Sequence, residues 1–313
     1  MLIFRTNFFL PKMTQMVFKF TAKQMLSCDD EKLLENMSEK FTHLLKGFLS
    51  FPLNIPGTAY HKCLKDQQEV LKMMKDILKE RHTLPAEMLQ GDFLGQAIND
   101  MNTEKFLTED LIVHLIFGVS IASFESISAA LTIALKFLAD HPFVLQELTA
   151  EHEAILKNRK NMDSSLTWDM YKSMTFTHQV INETLRLANL LPGMLRRALK
   201  DIQVNGYTIP AGWTIMVVSS ALQLNPNIFE DPLAFNPWRW KDLDSNVISK
   251  NFMPFGEGMR QCAGAEYTKV FMATFFHTLV TKNRWTKIKG GSIVRNPILG
   301  FGDGIHIKFS EKA

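Results

Sequence analysis

The segment from Thr108 to Pro142 constrains this chain more than any other. Thr108 is a residue type that caps helix N-termini, and Glu109 and Asp110 follow where acids suit the helix dipole. LIVHLIFGVSIASFESISAALTIALKFLAD then keeps a helical character until His141-Pro142 stops it. About thirty residues rising ~1.5 Å each give ~45 Å of helix, enough to cross a whole domain. Such length and apolarity also fit a bilayer span. His114, Glu125 and the serines at 120, 123, 126 and 128 argue against lipid contact. A helix apolar on nearly every side yet polar at its centre reads as the buried axis of a soluble core.

The rest of the chain gives that axis helical company. Residues 13–50 carry apolar positions at helical spacing, as do Lys62 to Arg81 and Phe143 to Lys157. Loops fall at SFPLNIPGTAY (50–60), unusually greasy for a loop, and around TLPAEMLQGD. LTWDMYKSMTFTHQVINETLRLANL supplies two further helices, ending at Pro192-Gly193. Strand alternation appears in LRRALKDIQVNGYTIPAGWTIMVVSS, with a tight turn at Pro210-Ala211-Gly212, and Ser292 to Phe309 resembles a closing hairpin. The expected class is mainly α with a small β portion.

Composition removes several functions. A net charge of +3 on 313 residues is too mild to imply nucleic acid. Cys28, Cys63 and Cys262 are odd in number and widely spaced, which indicates a reducing compartment rather than a disulfide framework or a zinc site. Arg5 and Pro11 interrupt the apolar N-terminus before it could span a bilayer, and no signal-peptide pattern follows. Seventeen Met and twenty-four Phe suggest a pliable interior suited to an apolar ligand, although both types also serve as plain core filling.

One cysteine sits in unusual company. FMPFGEGMRQCAG (252–264) places Cys262 in a glycine-rich turn just ahead of the helical run AEYTKVFMATFFHTLVTK. Free amides and the dipole at a helix start favour thiolate, which makes a soft-metal ligand or a nucleophile. Taken alone, the cysteine could equally be a small buried hydrophobe.

The pattern around it is longer than one residue. Phe255, Gly258, Arg260, Cys262 and Gly264 satisfy F-x-x-G-x-R-x-C-x-G, which resembles the haem-binding signature of the cytochrome P450 monooxygenases. The resemblance implies haem b as cofactor, with Cys262 as the proximal iron ligand, Phe255 shielding the sulfur and Arg260 pairing with a haem propionate. Glu183 and Arg186 form E-x-x-R, and Arg239 lies in FNPWR (235–239) between that helix and the cysteine loop. In the family these three make a buried network beneath the haem. Arg196, ahead of Asp201 and GYTIPAGW, matches the arginine that contacts the other propionate.

The polar centre of the long helix also aligns with a family motif. Ala122 to Ile127 is similar to [AG]-G-x-[DE]-T-[TS], in which an acid and an alcohol deliver protons to bound oxygen. Glu125 would be the acid and Ser126 the alcohol. Ser123, Ser126 and Ile127 depart from that pattern, and a serine here can instead bond back to its own helix.

The segments FPLNIPGTAYHKC, GYTIPAGW, FNPWRW and KGG resemble a plant branch that oxidises sterols, brassinosteroids and triterpenoids. On that analogy Leu191, Met194, Leu299 and Phe301 approach the substrate, a core role being equally good for each. SFPLNIPG would form the lid of an access channel, perched on a membrane surface, or else an ordinary packed loop; TKNRWTKIK (281–289) would help receive an NADPH-cytochrome reductase, although a solvated basic face accounts equally for any single lysine there. The implied location is the cytosolic face of the endoplasmic reticulum membrane, with the family's anchor absent from this chain. The resemblance makes residues 1–313 a single haem-binding monooxygenase domain, the C-terminal two-thirds of the family fold. The family's earlier helices, including the W-x-x-x-[RK] helix that grips the propionates, have no counterpart in the sequence. Two alternatives stay open: a truncated, catalytically inactive haem binder or unstable product, and a haem-thiolate isomerase or dehydratase that needs no oxygen delivery.

Overall fold

The computed structural model describes residues 9–85, 91–159, 165–295 and 299–312. Pro11–Ser128 form one compact unit, and Ala129–Ala313 form the greater part of a second.

The first unit is helical. α1 (Phe9–Leu26) and α2 (Glu31–Phe48) are separate helices where the sequence pattern suggested one run. Ser27 turns the chain at φ 46°, and Asp30 restarts it by accepting from the Lys32 and Leu33 amides. α3 (Ala59–His82) is capped by Thr58, whose hydroxyl also donates to Leu53 O and Ile55 O and so ties down the loop before it. Gly47 marks the closest approach of α2 to α3. A Cβ there would lie 2.2 Å from Cys63 Cβ, so only glycine lets the helices meet. Cys63 is buried at that contact and has a packing role. α4 (Phe93–Asp100) starts at Asp92, which caps the Gly95 amide and takes a two-pronged bond from Arg81 at 2.9 Å. Phe18, Phe41, Phe117 and Phe124 pack with centroids 5.1–6.0 Å apart at the heart of this unit, which is where several of the many Phe residues go.

α5 (Glu109–Asp140) is the long helix, begun by Thr108 Oγ1 accepting from the Leu111 amide. Its second half meets the expectation of a buried axis: Ile127 to Leu135 are buried without a break. Its first half does not, because Leu111, Leu115 and Val119 are 36–43% exposed on one face. By length and composition it is one helix among the described residues that could cross a membrane, although the Ile127–Leu135 stretch spends its apolar surface on protein contacts.

The second unit stacks α6 (Pro142–Lys157), α7 (Trp168–Ser173) and α8 (Thr175–Ala188) with a late helix, and carries all the described strands. α8 ends four residues before Pro192 because Asn189 takes the left-handed conformation (φ 41°) and Arg295 donates to the freed carbonyls of Ala188 and Asn189. β1 (Met194–Arg197) pairs antiparallel with β4 (Thr214–Val217), and β2 (Ile202–Val204) forms a hairpin with β3 (Tyr207–Ile209) around Asn205-Gly206. The turn at Pro210-Ala211-Gly212 is as expected, with Gly212 at φ 85° and Asp201 accepting from the Ala211 amide.

α9 (Ser220–Gln223), α10 (Arg239–Asp242) and α11 (Ser245–Asn251) lead to the cysteine loop, and α12 (Ala265–Lys282) leaves it. β5 (Asn283–Gly290) pairs with β8 (Ile305–Glu311), and β6 (Ile293–Arg295) with β7 (Leu299–Phe301). Of the closing hairpin expected over 292–309, only β6–β7 pairs as such; β8, which begins inside that span, pairs with β5 instead. β5 was legible only as a basic run; it is a strand whose Trp285 points inward while Arg284 and Lys289 face out. The content is mainly helical with minor β structure.

Between α6, α8 and α12 runs a buried polar chain. Arg159, just past α6, donates to His277 Nε2 (3.1 Å), so His277 carries its proton on Nδ1 and gives it to His152 Nδ1 (3.1 Å). His152 Nε2–H then donates to Thr177 Oγ1 (3.1 Å), and the Thr177 hydroxyl donates to Glu151, which also accepts from the Phe176 and Thr177 amides at the start of α8. Both histidine tautomers are fixed by that order of donors.

Candidate functional site

The cysteine loop is built from backbone. Cys262 N–H donates to Phe255 O (2.9 Å), Gln261 N–H to Gly258 O (3.0 Å), and Ala265 N–H to Cys262 O (3.3 Å). Gly256 and Gly258 both sit at φ 72°, a region closed to ordinary side chains without strain. These two residues turn the chain so that Cys262 is presented rather than packed: it is exposed, whereas Cys63 is buried. The reading of Cys262 as a small core hydrophobe is thereby removed. The Lys269 ammonium lies 5.9 Å from the centroid of the Phe255 ring.

β1 reaches the same neighbourhood. A Cβ on Gly256 would meet Met194 Sδ at 3.2 Å, and the Arg196 guanidinium lies 4.0 Å from that sulfur. Arg196 and Arg260 are both exposed, and neither belongs to an ion pair among the described residues. Arg197, its neighbour, is exposed as an ordinary surface residue.

Beneath the loop, Glu183, Arg186 and Arg239 meet as the family resemblance implied, and further residues join them. Glu183 Oε1 accepts from Arg186 Nη2 (2.9 Å), the Asn236 amide (3.0 Å) and Arg239 Nε (3.0 Å). Its Oε2 accepts from Arg186 Nε (2.9 Å) and Trp240 Nε1 (2.9 Å). Arg186 uses its remaining donors on the carbonyls of Gln223, Pro232 and Ala234, so all its N–H groups are satisfied although it is fully buried. Its guanidinium also stacks 5.0 Å from the Phe229 ring centroid. Arg239 adds bonds to the carbonyls of Glu230, Asp231 and Ala234. A buried ion pair is costly unless every lone pair and proton is matched, and here they are. Trp240 and Asn236 are members that sequence spacing missed. Trp240 also packs edge-on against Phe252, the first residue of the loop, at 4.5 Å between centroids. The network is therefore joined mechanically to the cysteine.

In the first unit, Glu125 and Ser126 occupy the middle of α5. Burial pushes the Glu125 carboxyl above the ordinary carboxylate range. Ser126 Oγ donates to Ala122 O (2.6 Å), the back-bonded arrangement open to any helical serine, and keeps its lone pairs free to accept. Ser123 and Ser128 bond back in the same way.

The residues aligned with substrate contacts separate by environment. Leu299 is 3% exposed and packs with Ala129, Ile133 and Ala188, with Phe301 and Leu190 against the same cluster. Leu191 is 59% exposed.

The fold and the loop together define a mainly helical protein that presents an exposed cysteine sulfur just ahead of a long helix. The sequence matches the cytochrome P450 family model over residues 5–303, and the chain belongs to that family. It is 55% identical over 297 residues to a cucurbitadienol 11-hydroxylase of Siraitia grosvenorii, covering 95% of this chain and 63% of the relative. A beta-amyrin 16-alpha-hydroxylase of Maesa lanceolata is 53% identical, with 95% of this chain and 62% of the relative covered. The chain thus spans a little over three-fifths of these curated relatives. A retinoic-acid-bound cyanobacterial cytochrome P450 superposes with a TM-score of 0.85 at 23% identity, over 98% of this chain and 70% of its own, which establishes the shared fold.

Haem b is the cofactor of this family, and the residues present fit it. A soft sulfur donor on a glycine-shaped loop, with two arginines free of carboxylates beside it, matches an iron porphyrin bearing two propionates.

Proposed function

We propose that this chain holds the haem-thiolate part of a monooxygenase that hydroxylates a sterol-, brassinosteroid- or triterpenoid-like substrate, using O2 and electrons from an NADPH-cytochrome reductase. The observation that carries this is the exposed Cys262, held by a loop whose foundation is the saturated Glu183 network. The hydroxylases of cucurbitadienol and beta-amyrin among the relatives support the substrate class.

Bound haem would supply oxygen activation; the chain supplies geometry and protons. Cys262 offers the thiolate, and Phe255 covers it. Gly258 and Gly264 leave room for the loop's tight path, and Arg260 and Arg196 would hold the two carboxylates of the cofactor. Glu125 retains its proton more readily than a solvated carboxylic acid, which suits a donor. Ser126 would relay that proton, accepting it at Oγ and releasing its own to the O2 co-substrate after giving up its bond to Ala122 O. Leu191, Met194 and Phe301 would offer apolar surface to the substrate, with the buried Leu299 packed in the same cluster as Phe301.

The loop between α2 and α3 presents Phe48, Leu49, Phe51, Leu53 and Ile55, with Phe48 and Phe51 near 80% exposed. Such a patch on a hairpin tip, flanked by Lys46 and Lys62, suits contact with the cytosolic face of the endoplasmic reticulum membrane. Exposed Arg284 and Lys289 on β5 suit an acidic reductase, whereas Lys287 is engaged with Asp140.

The test is spectroscopic. The chain loaded with haem, reduced and given carbon monoxide should show the red-shifted Soret band of thiolate ligation, and Cys262→Ala should abolish it. An unchanged band in Cys262→Ala would remove the cysteine as ligand; haem uptake with no turnover would identify a silent haem binder. For the proton path, Ser126→Ala should lower hydroxylated product per NADPH by about tenfold, a modest share of what positioned proton transfer contributes. Equal coupling in that variant would exclude Ser126 from the path.

A further inference from the structure

We propose that Tyr171 is a positioning residue for Cys262, acting through Glu266; the ligand role it serves rests on the function proposed above. The helix that follows the cysteine begins without a side-chain cap, since Gly264 occupies its N-cap. Its first turn carries Glu266, an exposed residue, and Tyr171 reaches that carboxylate from α7 with its O–H donating to Oε1 at 2.7 Å. Tyr171 is itself buried, 7% exposed, so the bond joins a fixed side chain to a surface one.

What fixes Tyr171 is traceable. α7 has six residues and would not persist alone; Thr167 caps it by accepting from the Met170 amide, and His178 Nε2 bonds Tyr171 O at 3.1 Å. The His178 ring also meets the tyrosine ring edge-on at 4.8 Å, and Trp168 packs on it at 4.9 Å. His178 belongs to α8, the helix that carries Glu183 and Arg186. The loop of Cys262 is therefore gripped at both ends from one helix: at Phe252 through Glu183 and Trp240, and at Glu266 through His178 and Tyr171. Burial and the neighbouring Glu266 charge both raise the phenol pKa, which keeps the O–H a donor at any working pH.

Hydrogen exchange on the 313-residue chain, with no haem required, tests the clamp. Amides of the loop and first turn that are bonded in the structure, those of Cys262, Ala265 and Thr268, should exchange roughly fivefold to tenfold faster in Tyr171→Phe, as expected for loss of one charge-assisted bond. Glu266→Ala, a surface change that cannot unfold the core, should do the same, and the double variant should be no faster than either single one. Glu266→Gln keeps an acceptor and should restore slow exchange. Amides of Val180 to Arg186 should be unchanged throughout.

In haem-loaded chain, Tyr171→Phe and Glu266→Ala should lose a several-fold larger share of the red-shifted carbon monoxide band than wild type at one temperature. Val70→Ala, a core truncation in the other unit, lowers stability without that loss. Unchanged loop exchange in Tyr171→Phe, or equal band loss in Val70→Ala, would overturn the proposal. Failure of wild-type chain to take up haem would sink the function proposed above while the exchange measurement still decides the clamp.

Discussion

Glu183→Ala should cost the second unit about 3–5 kcal/mol, the range for removing one partner of a buried ion pair. That is a large part of the ~5–15 kcal/mol that holds an ordinary domain together. Alanine leaves the buried Arg186 guanidinium with no counter-charge and strands donors on Asn236, Arg239 and Trp240. The nominal isostere should fare little better. Both oxygens of Glu183 face only donors, so in Glu183→Gln the amide NH2 must point at either Arg186 Nε and Trp240 Nε1 or at the three donors on Oε1. A Gln rescue would therefore count against the saturated network as described. All five tryptophans lie in the second unit, so urea unfolding followed by tryptophan fluorescence reads that unit directly. A loss below about 1 kcal/mol, the worth of an ordinary exposed pair, would show that Glu183 is not the foundation of the loop.

How far the sequence revealed this arrangement depends on the range of each contact. The i,i+3 spacing of Glu183 and Arg186 puts them on one helix face, and only the family resemblance brought Arg239 to them. Trp240 stayed hidden because an indole N–H finds its partner only after the chain has folded back 57 positions. The break between α1 and α2 had a local signal, Asp30 ahead of an acidic first turn, that outweighs the apolar periodicity running across it. α8 stops at Ala188 through Arg295, more than a hundred residues away, and no window around Pro192 contains that information. β5 read as a basic surface because Lys and Arg dominate its composition, while its inward Trp285 follows the two-residue period of a strand. Long-range polar pairing is what the sequence withheld most.

The His152–His277 pair should make the second unit acid-sensitive with a slope that belongs to these two side chains. His152 is 0% and His277 6% exposed. Burial pulls the His152 pKa down to about 3, with His277 beside it adding to the effect; burial, then Arg159 and Lys282, pulls His277 down to about 4. Glu151 faces the chain from the α6 side, but its carboxylate is occupied by Thr177 and the α8 amides rather than by either ring. Unfolded histidine titrates near 6.5, so above that pH neither state binds the proton and the pair has no effect on the slope. Below it the unfolded chain binds up to two more protons than the folded one, and stability falls by ~1.4 kcal/mol per pH unit for each histidine. The two together amount to ~3 kcal/mol between pH 6.5 and 5, continuing until the folded pair itself titrates near 4 and 3. His152→Gln with His277→Asn removes both titrations; that double variant starts less stable at pH 7, through lost hydrogen bonds, but should follow a flatter curve. The comparison that decides is the difference in slope, measured by urea unfolding at steps from pH 7.5 to 5. Parallel curves for wild type and double variant would mean that the pair is not held neutral in the fold.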